Sequence, residues 1–289
     1  MPLQSASGAR PPLKEFLADP SWALAVVAHR GAWHGAPENS IASVDLAIRC
    51  GYEFVEIDVQ ATADGALVCL HDDTLDRMTG QPGTVSRLPA ADITSLVLKD
   101  GAGGSQALLT SSHPALLGDL LDATEGKIYV DVDVKHLRDL EQVADFVRTH
   151  PWRSHINLKT LVANENDLQR VDDLEQQTGV LVKPVIQVTA ETLGAYLGLL
   201  RQRPTPLVEG LFDSFSSFEA YALAARASGT DIFLNTLDAV PSADVTDSDS
   251  LSNPARGWGR LLEHGARLLQ TDRPDALKAF GASLEKIAS

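Results

Sequence analysis

With 289 residues, 44% of them hydrophobic and 22% charged, the chain can bury a full-sized core of ordinary composition. Its formal net charge of -15 argues against nucleic acid or an anionic membrane surface as a partner, because both reward a basic face; a small anionic substrate stays open if the pocket carries its own positive charge. No apolar h-region opens the chain, no run reaches the roughly 18 apolar residues of a spanning helix, and Cys50 and Cys69 are too few for a disulfide framework, so a cytoplasmic protein without integral membrane association is expected.

Residues 1–20 read as a loose or lightly docked arm in which Pro2, Pro11, Pro12 and Pro20 limit helix. Trp22 to Ala28 is a short apolar run, a buried strand, and it ends on His29-Arg30-Gly31. Ser40 to Cys50 follows as an amphipathic helix, with Asn39 or Ser40 as N-cap. Val55, Ile57 and Val59 then alternate with Glu56, Asp58 and Gln60, the period of a strand. Glu56 and Asp58 therefore share a face with Cα atoms roughly 6–7 Å apart, and desolvating both is costly unless a cation sits between them. Asp64-Gly65 turns the chain, and the run Ala66 to Leu70 ends on His71.

The stretch 72–113 is rich in Gly, Ser, Thr and Pro and too long for a plain connection, which predicts a small subdomain or lid beside the site. Pro114 to Thr124 has leucines at helical spacing, and Lys127 to Lys135 alternates as a strand with Asp131, Asp133 and Lys135 on one face. Strands over 156–161, 180–188, 207–213, 232–237 and 266–271 then alternate with helices over 137–149, 165–177, 190–201, 217–227, 254–264 and 274–287. Between them, 238–253 has the polar composition of a mobile loop.

Eight strands, each followed by a helix, imply a TIM-type (β/α)8 barrel, a single catalytic domain with a small insertion after the second strand. An open doubly wound sheet is the alternative, but no G-x-G-x-x-G follows the first strand. Barrel sites sit at the C-terminal ends of the strands, where His29, Glu56, Asp58, Asp133, Lys135, Asp213, Asn235 and Asp272 fall. Singly, each has an ordinary role: a satisfied core histidine, a surface ion pair, a solvated strand face. Jointly with Arg30 and His71 they put carboxylates, two histidines, an arginine and a lysine at one barrel mouth. All-oxygen ligands suit a hard divalent cation such as Mg²⁺ or Ca²⁺, Arg and Lys suit a phosphate, and histidines suit proton transfer near neutral pH. The set describes metal-assisted phosphoryl chemistry.

These residues also carry a resemblance. HRG at 29–31, PENS at 37–40, EIDVQ at 56–60, the DG turn at 64–65 and HDDTLDRMTG at 71–80 resemble the glycerophosphodiester phosphodiesterase family, as do HPALLGDLL at 113–121 and TDRPDAL at 271–277. The resemblance implies a TIM-type barrel that hydrolyses small-molecule glycerol phosphodiesters with a divalent cation. It implies Glu56 and Asp58 as metal ligands, His29 and His71 as the acid–base pair, Arg30 on the phosphate and Glu38 in support. Asp133-Val134-Lys135 stands where the family has E-x-K, so Asp133 is the third ligand with a carboxylate one methylene shorter. Asn235-Thr236-Leu237-Asp238 stands where the family has W-T-x-N, which removes an aromatic wall from the alcohol pocket. The leaving alcohol and the oligomeric state are left open. Alternatives are a relative acting on a sugar phosphodiester or a lysophospholipid, a lyase that stops at a cyclic phosphate, and a non-catalytic phospho-ligand binding barrel. A barrel metalloenzyme acting on sugars without phosphate would leave Arg30 and Lys135 without a task.

Overall fold

The computed structural model describes residues 8–288. Its strands are β1 (Ala25–Ala28), β2 (Phe54–Ala61), the short β3 (Leu67–Val68), β4 (Tyr129–Val134), β5 (Ile156–Leu161), β6 (Leu181–Val188), β7 (Leu207–Phe212), β8 (Asp231–Leu237), the short β9 (Val240–Pro241) and β10 (Ala266–Thr271). The hydrogen-bonded order is β1-β10-β8-β7-β6-β5-β4-β2, and β1 also pairs with β2; this is the topology of a closed (β/α)8 barrel. β3 and β9 lie off it as antiparallel partners of β2 and β8. Strands covered on both faces carry near-continuous apolar runs, which is why 54–60 is buried throughout despite its alternating charges.

Contacts within the chain divide it into two compact units. One comprises Met1–Pro11, His29–Leu158 and Thr178–Leu181; the other comprises Pro12–Ala28, Lys159–Gln177 and Val182–Ser289.

In the first unit, β2 and β4 pair in parallel with Asp58 opposite Asp133 and Glu56 opposite Asp131. The helix Ile41–Cys50 starts at Ser40, whose side chain accepts from Ser43 N–H in a capping box, and ends at Gly51 with φ 72°. The insertion packs against the hairpin that precedes it: Leu75, Met78, Val85, Ile93 and Leu98 are buried together with Val68 and Leu70. The helix predicted from Pro114 begins at Leu117 instead. Ala115 and Leu116 stay extended because they pair with the hairpin, Cys69 N–H donating to Ala115 O at 2.9 Å.

In the second unit, the arm expected to be loose or lightly docked and short of helix carries a docked helix, Leu13–Ala18, with Leu13, Phe16 and Leu17 buried. Apolar spacing outweighs the flanking prolines there, and residues 1–7 of the predicted arm lie outside the described ones. The expectation of a mobile loop at 238–253 is also corrected. This stretch forms β9 and the helix Asp247–Ser252, capped by Thr246. Its polar residues are spent internally: the buried Asp247 carboxylate accepts from Thr236 Oγ1 at 2.7 Å, Thr271 Oγ1 at 2.6 Å and Asp272 N–H at 2.8 Å. No helix among the described residues is long and apolar enough to cross a membrane.

Candidate active site

The β2–β4 register decides which carboxylates meet. Side chains at 56 and 58 leave one face of β2, and Asp58 stands beside Asp133, so Glu56, Asp58 and Asp133 bring ligand oxygens within 4.8 Å of one another. Glu56 and Asp58 are buried, while Asp133 is half-exposed. Asp131 shares the Asp133 face one pleat deeper and is fully buried, where Asn157 Nδ2 donates to it. Lys135 lies just past β4, its Nζ 3.1 Å from Asp58 and 3.6 Å from Asp133.

In the His29-Arg30-Gly31 turn, Arg30 faces this cluster with its backbone as well as its side chain. Arg30 adopts a left-handed φ of 54°, rare for a non-glycine residue, and its N–H donates to Glu56 Oε2 at 3.1 Å. Its guanidinium donates from Nη1 to Glu38 at 3.3 Å and holds Nε 3.3 Å from Asp58 Oδ2. Asn39, also left-handed at 54°, does more than start a helix. Its Nδ2 donates to Asp58 Oδ2 at 2.8 Å, and its Oδ1 accepts from Asp58 N–H at 2.9 Å. Ser40 is the cap, which frees Asn39 to orient Asp58.

His71 is delivered by the strand return. Gln60 Nε2 donates to the carbonyls of Leu70 and Asp72, each at 2.9 Å, and so fixes the backbone on both sides of it. The His71 ring meets Asp72 Oδ1 through Nδ1 at 2.7 Å, and Arg77 clamps Asp72 from behind at 2.6 and 3.0 Å. His29 and His71 are both half-buried, accessible enough to exchange protons.

Electrostatics favour charged groups. Burial alone would raise the Asp58 pKa, but Lys135, then Arg30 and His71, outweigh it and hold it at about 2. Arg77 hydrogen bonds likewise hold Asp72 at about 2. Burial would lower the Lys135 pKa, yet Asp58 and Asp133 leave it raised. The donor set fits a divalent ion: three oxygen ligands, one of them kept ionised far below neutrality, with room for water at the exposed side of Asp133.

Of the predicted residues, Glu56, Asp58 and Asp133 converge, Arg30 and Lys135 touch Asp58, Glu38 touches Arg30, and His29 begins the turn that holds Arg30. Three strand-end residues have other tasks in the second unit. Asp213 accepts from Ser217 Oγ at 2.8 Å at a helix start, Asn235 Nδ2 donates to Glu209 at 2.9 Å, and Asp272 donates its N–H to Asp247. Sequence reasoning missed Asn39, Gln60, Asp72 and Arg77 as parts of the site. All four lie inside the stretches that carried the resemblance, which was the available signal.

A model described as the glycerophosphoryl diester phosphodiesterase family matches residues 29–191, and a domain of unknown function matches residues 182–280. A probable glycerophosphodiester phosphodiesterase 1 of Mycobacterium tuberculosis is 40% identical over 119 residues, 38% of this chain and 42% of that protein. A glycerophosphodiester phosphodiesterase of Bacillus subtilis is 42% identical over 95 residues, 33% of this chain and 32% of that protein. The chain thus matches well under half the length of these curated relatives. Among solved structures, a glycerophosphoryl diester phosphodiesterase from Parabacteroides distasonis has a TM-score of 0.71 at 19% identity, covering 94% of this chain and 92% of its own. A phosphodiesterase from Oleispira antarctica, in complex with the product sn-glycerol-3-phosphate, has a TM-score of 0.63 at 23% identity over 88% of this chain and 95% of its own. At such identities the structural likeness establishes the fold.

Proposed function

This chain belongs to the glycerophosphoryl diester phosphodiesterase family, and we propose that it hydrolyses glycerophosphodiesters to an alcohol and sn-glycerol 3-phosphate. The observation that carries the reading is the convergence of Glu56, Asp58 and Asp133 within 4.8 Å, beside Arg30 and Lys135. The three carboxylates are the ligands of a divalent cation, Mg²⁺ or Ca²⁺, which when bound would neutralise charge on a phosphoryl oxygen. Arg30 and Lys135 hold the phosphate; Arg30 is the more rigid of the two because Glu38 fixes one end of its fork. We assign a cytoplasmic setting, in keeping with two cysteines that are both free.

A glycerophosphodiester carries a hydroxyl next to the ester, so its own oxygen attacks phosphorus and a cyclic phosphate forms. Such intramolecular attack is entropically favoured, with effective molarities of about 10⁵ M or more for well-placed groups. His29 accepts the proton of the attacking hydroxyl, and His71 donates one to the leaving alcohol. In the second step water opens the ring, and the two histidines exchange roles. Asp72 occupies His71 Nδ1, which leaves Nε2 as the nitrogen that exchanges the proton.

A panel of phosphodiesters followed by phosphorus NMR, with and without chelator, tests the reading. Turnover should vanish on chelation and return with Mg²⁺ or Ca²⁺; full activity after exhaustive chelation rejects the metal. His29→Ala or His71→Ala should each slow turnover by about 10²–10⁴ with metal binding retained. A substrate whose neighbouring hydroxyl is methylated should not react, and equal rates would mean direct attack by water.

A further inference from the structure

Arg77 uses every nitrogen of its guanidinium. Nε donates to Asp72 Oδ2 at 2.6 Å, Nη2 to Asp72 Oδ1 at 3.0 Å and to Glu38 Oε1 at 2.7 Å, and Nη1 to the Ala102 carbonyl at 2.6 Å. Each carboxylate partner holds a different working group. Asp72 meets His71 Nδ1 at 2.7 Å, and Glu38 accepts from Arg30 Nη1 at 3.3 Å. The backbone around Arg77 is clasped too, with Gly104 N–H donating to Arg77 O at 2.8 Å and Lys99 N–H to Met78 O at 2.7 Å. Gly103 passes so close that a Cβ there would lie 2.5 Å from Arg77 O. An arginine that merely decorated a surface would have no such seat.

We infer that Arg77 is the positioning residue of this site, one planar fork that sets the His71 ring through Asp72 and the Arg30 guanidinium through Glu38. The inference rests on the phosphodiesterase reading for what those two groups do, though not for how they are held. A lysine here would keep the charge and lose the fork, since a single ammonium cannot pair bidentately with Asp72 while also reaching Glu38 and Ala102. The insertion therefore supplies alignment to the acid–base and phosphate-binding groups together.

The test uses the full chain with Arg77→Lys, Asp72→Asn and Glu38→Gln, singly and in pairs. Nitrogen NMR of ¹⁵N-histidine protein, with the His71 signal assigned by His71→Gln, reads the ring tautomer without any substrate. At a pH where the ring is neutral, wild type should show one tautomer protonated at Nδ1, and Arg77→Lys a mixture. With a glycerophosphodiester, Arg77→Lys should lower kcat by about 10–100-fold, the usual range for groups that orient ligands and working residues, and raise KM severalfold. The kcat effect should disappear when Asp72→Asn is already present, and the KM effect when Glu38→Gln is present. An unchanged His71 tautomer, or effects that simply add, would overturn the proposal and leave Arg77 a structural tie. Should Arg77→Lys lose cooperative unfolding, Asp72→Asn and Glu38→Gln carry the same test: the first should move kcat and the tautomer, the second KM, and any other division counts against it. A protein that turns over no phosphodiester in wild-type form rejects the enzymatic reading, while the tautomer still decides the positioning.

Discussion

Two buried charge clusters in this chain use the same residue types to opposite ends. In the first unit, three carboxylates converge and Arg30 and Lys135 stand against them, with Asp133 and Lys135 still reaching solvent. In the second unit, one carboxylate, Glu209, meets two lysines: Lys183 Nζ at 2.7 Å and Lys159 Nζ at 4.0 Å. Lys183 is wholly buried, its ammonium 3.3 Å from the centre of the Phe233 ring, and Asn235 donates to the other Glu209 oxygen. Convergent acids with an open side make a cation site. A lone acid held under lysines and an aromatic face makes a structural knot, because its charge is already met by Lys183 and the pair is withdrawn from solvent.

The contrast can be broken at its strongest point first. Asp58→Ala should abolish cation binding and cut turnover by roughly 10³-fold or more, given the several kcal/mol that a bound metal contributes to charge stabilisation. Calorimetric titration with Ca²⁺ and a turnover assay check it, and the protein should still unfold cooperatively. Lys183→Met should do the reverse, leaving cation affinity in place and costing about 3–5 kcal/mol of stability, because it strands a buried Glu209. Urea unfolding measures that loss. The double change with Glu209→Leu should recover most of it, and a double variant no better than the single would mean the knot contributes more than charge pairing.

Acid sharpens the comparison, because both clusters hold a carboxylate at about 2, Asp58 against Lys135 and Arg30, and Glu209 against Lys159 and Lys183. A folded pKa below the unfolded value means stability that is present above the ordinary carboxylate range near 4 and lost as pH falls toward 2. Thermal midpoints should therefore hold steady from pH 7 to about 5 and drop between about pH 4 and 2. Glu209→Gln and Asp58→Asn should each flatten part of that drop. The smallest effect is expected from Asp133→Glu, which restores the methylene that the family pattern contains and should tighten cation binding only severalfold, read by the same titration.

How much of this was legible in the sequence depends on how local the cause was. Barrel strands declared themselves because apolar runs bounded by turns fix a strand without help from afar. The pairing of Asp58 with Asp133 was not readable from residues alone, since register is set between segments 75 positions apart (58 to 133); motif resemblance pointed to Asp133 without giving the register. Asn39 was seen only as a cap because its hold on Asp58 needs a left-handed backbone that no composition announces. The stretch 238–253 was misread for a related reason. Its polarity suggested solvent, but Ser242 Oγ donates to Gly210 O at 2.8 Å and Asp247 gathers donors from Thr236, Thr271 and Asp272.

Gly31 sets a constraint of another kind, on what descendants of this sequence can become. A Cβ at that position would fall 2.2 Å from Ser43 Oγ, and the residue sits at φ 85°. That same hydroxyl donates to Ser40 O at 2.9 Å and accepts from Ser40 N–H at 3.3 Å in the cap of the helix, while Asn39 N–H donates to Arg30 O at 3.0 Å. Positions 31, 40 and 43 are therefore sterically and hydrogen-bond coupled. A single replacement at 31 displaces the helix start, and with it Asn39 and the carboxylate it orients, whereas a compensating change at 43 opens the cap. A single substitution at 31 therefore carries its cost to the helix start, although neither serine side chain belongs to the carboxylate cluster.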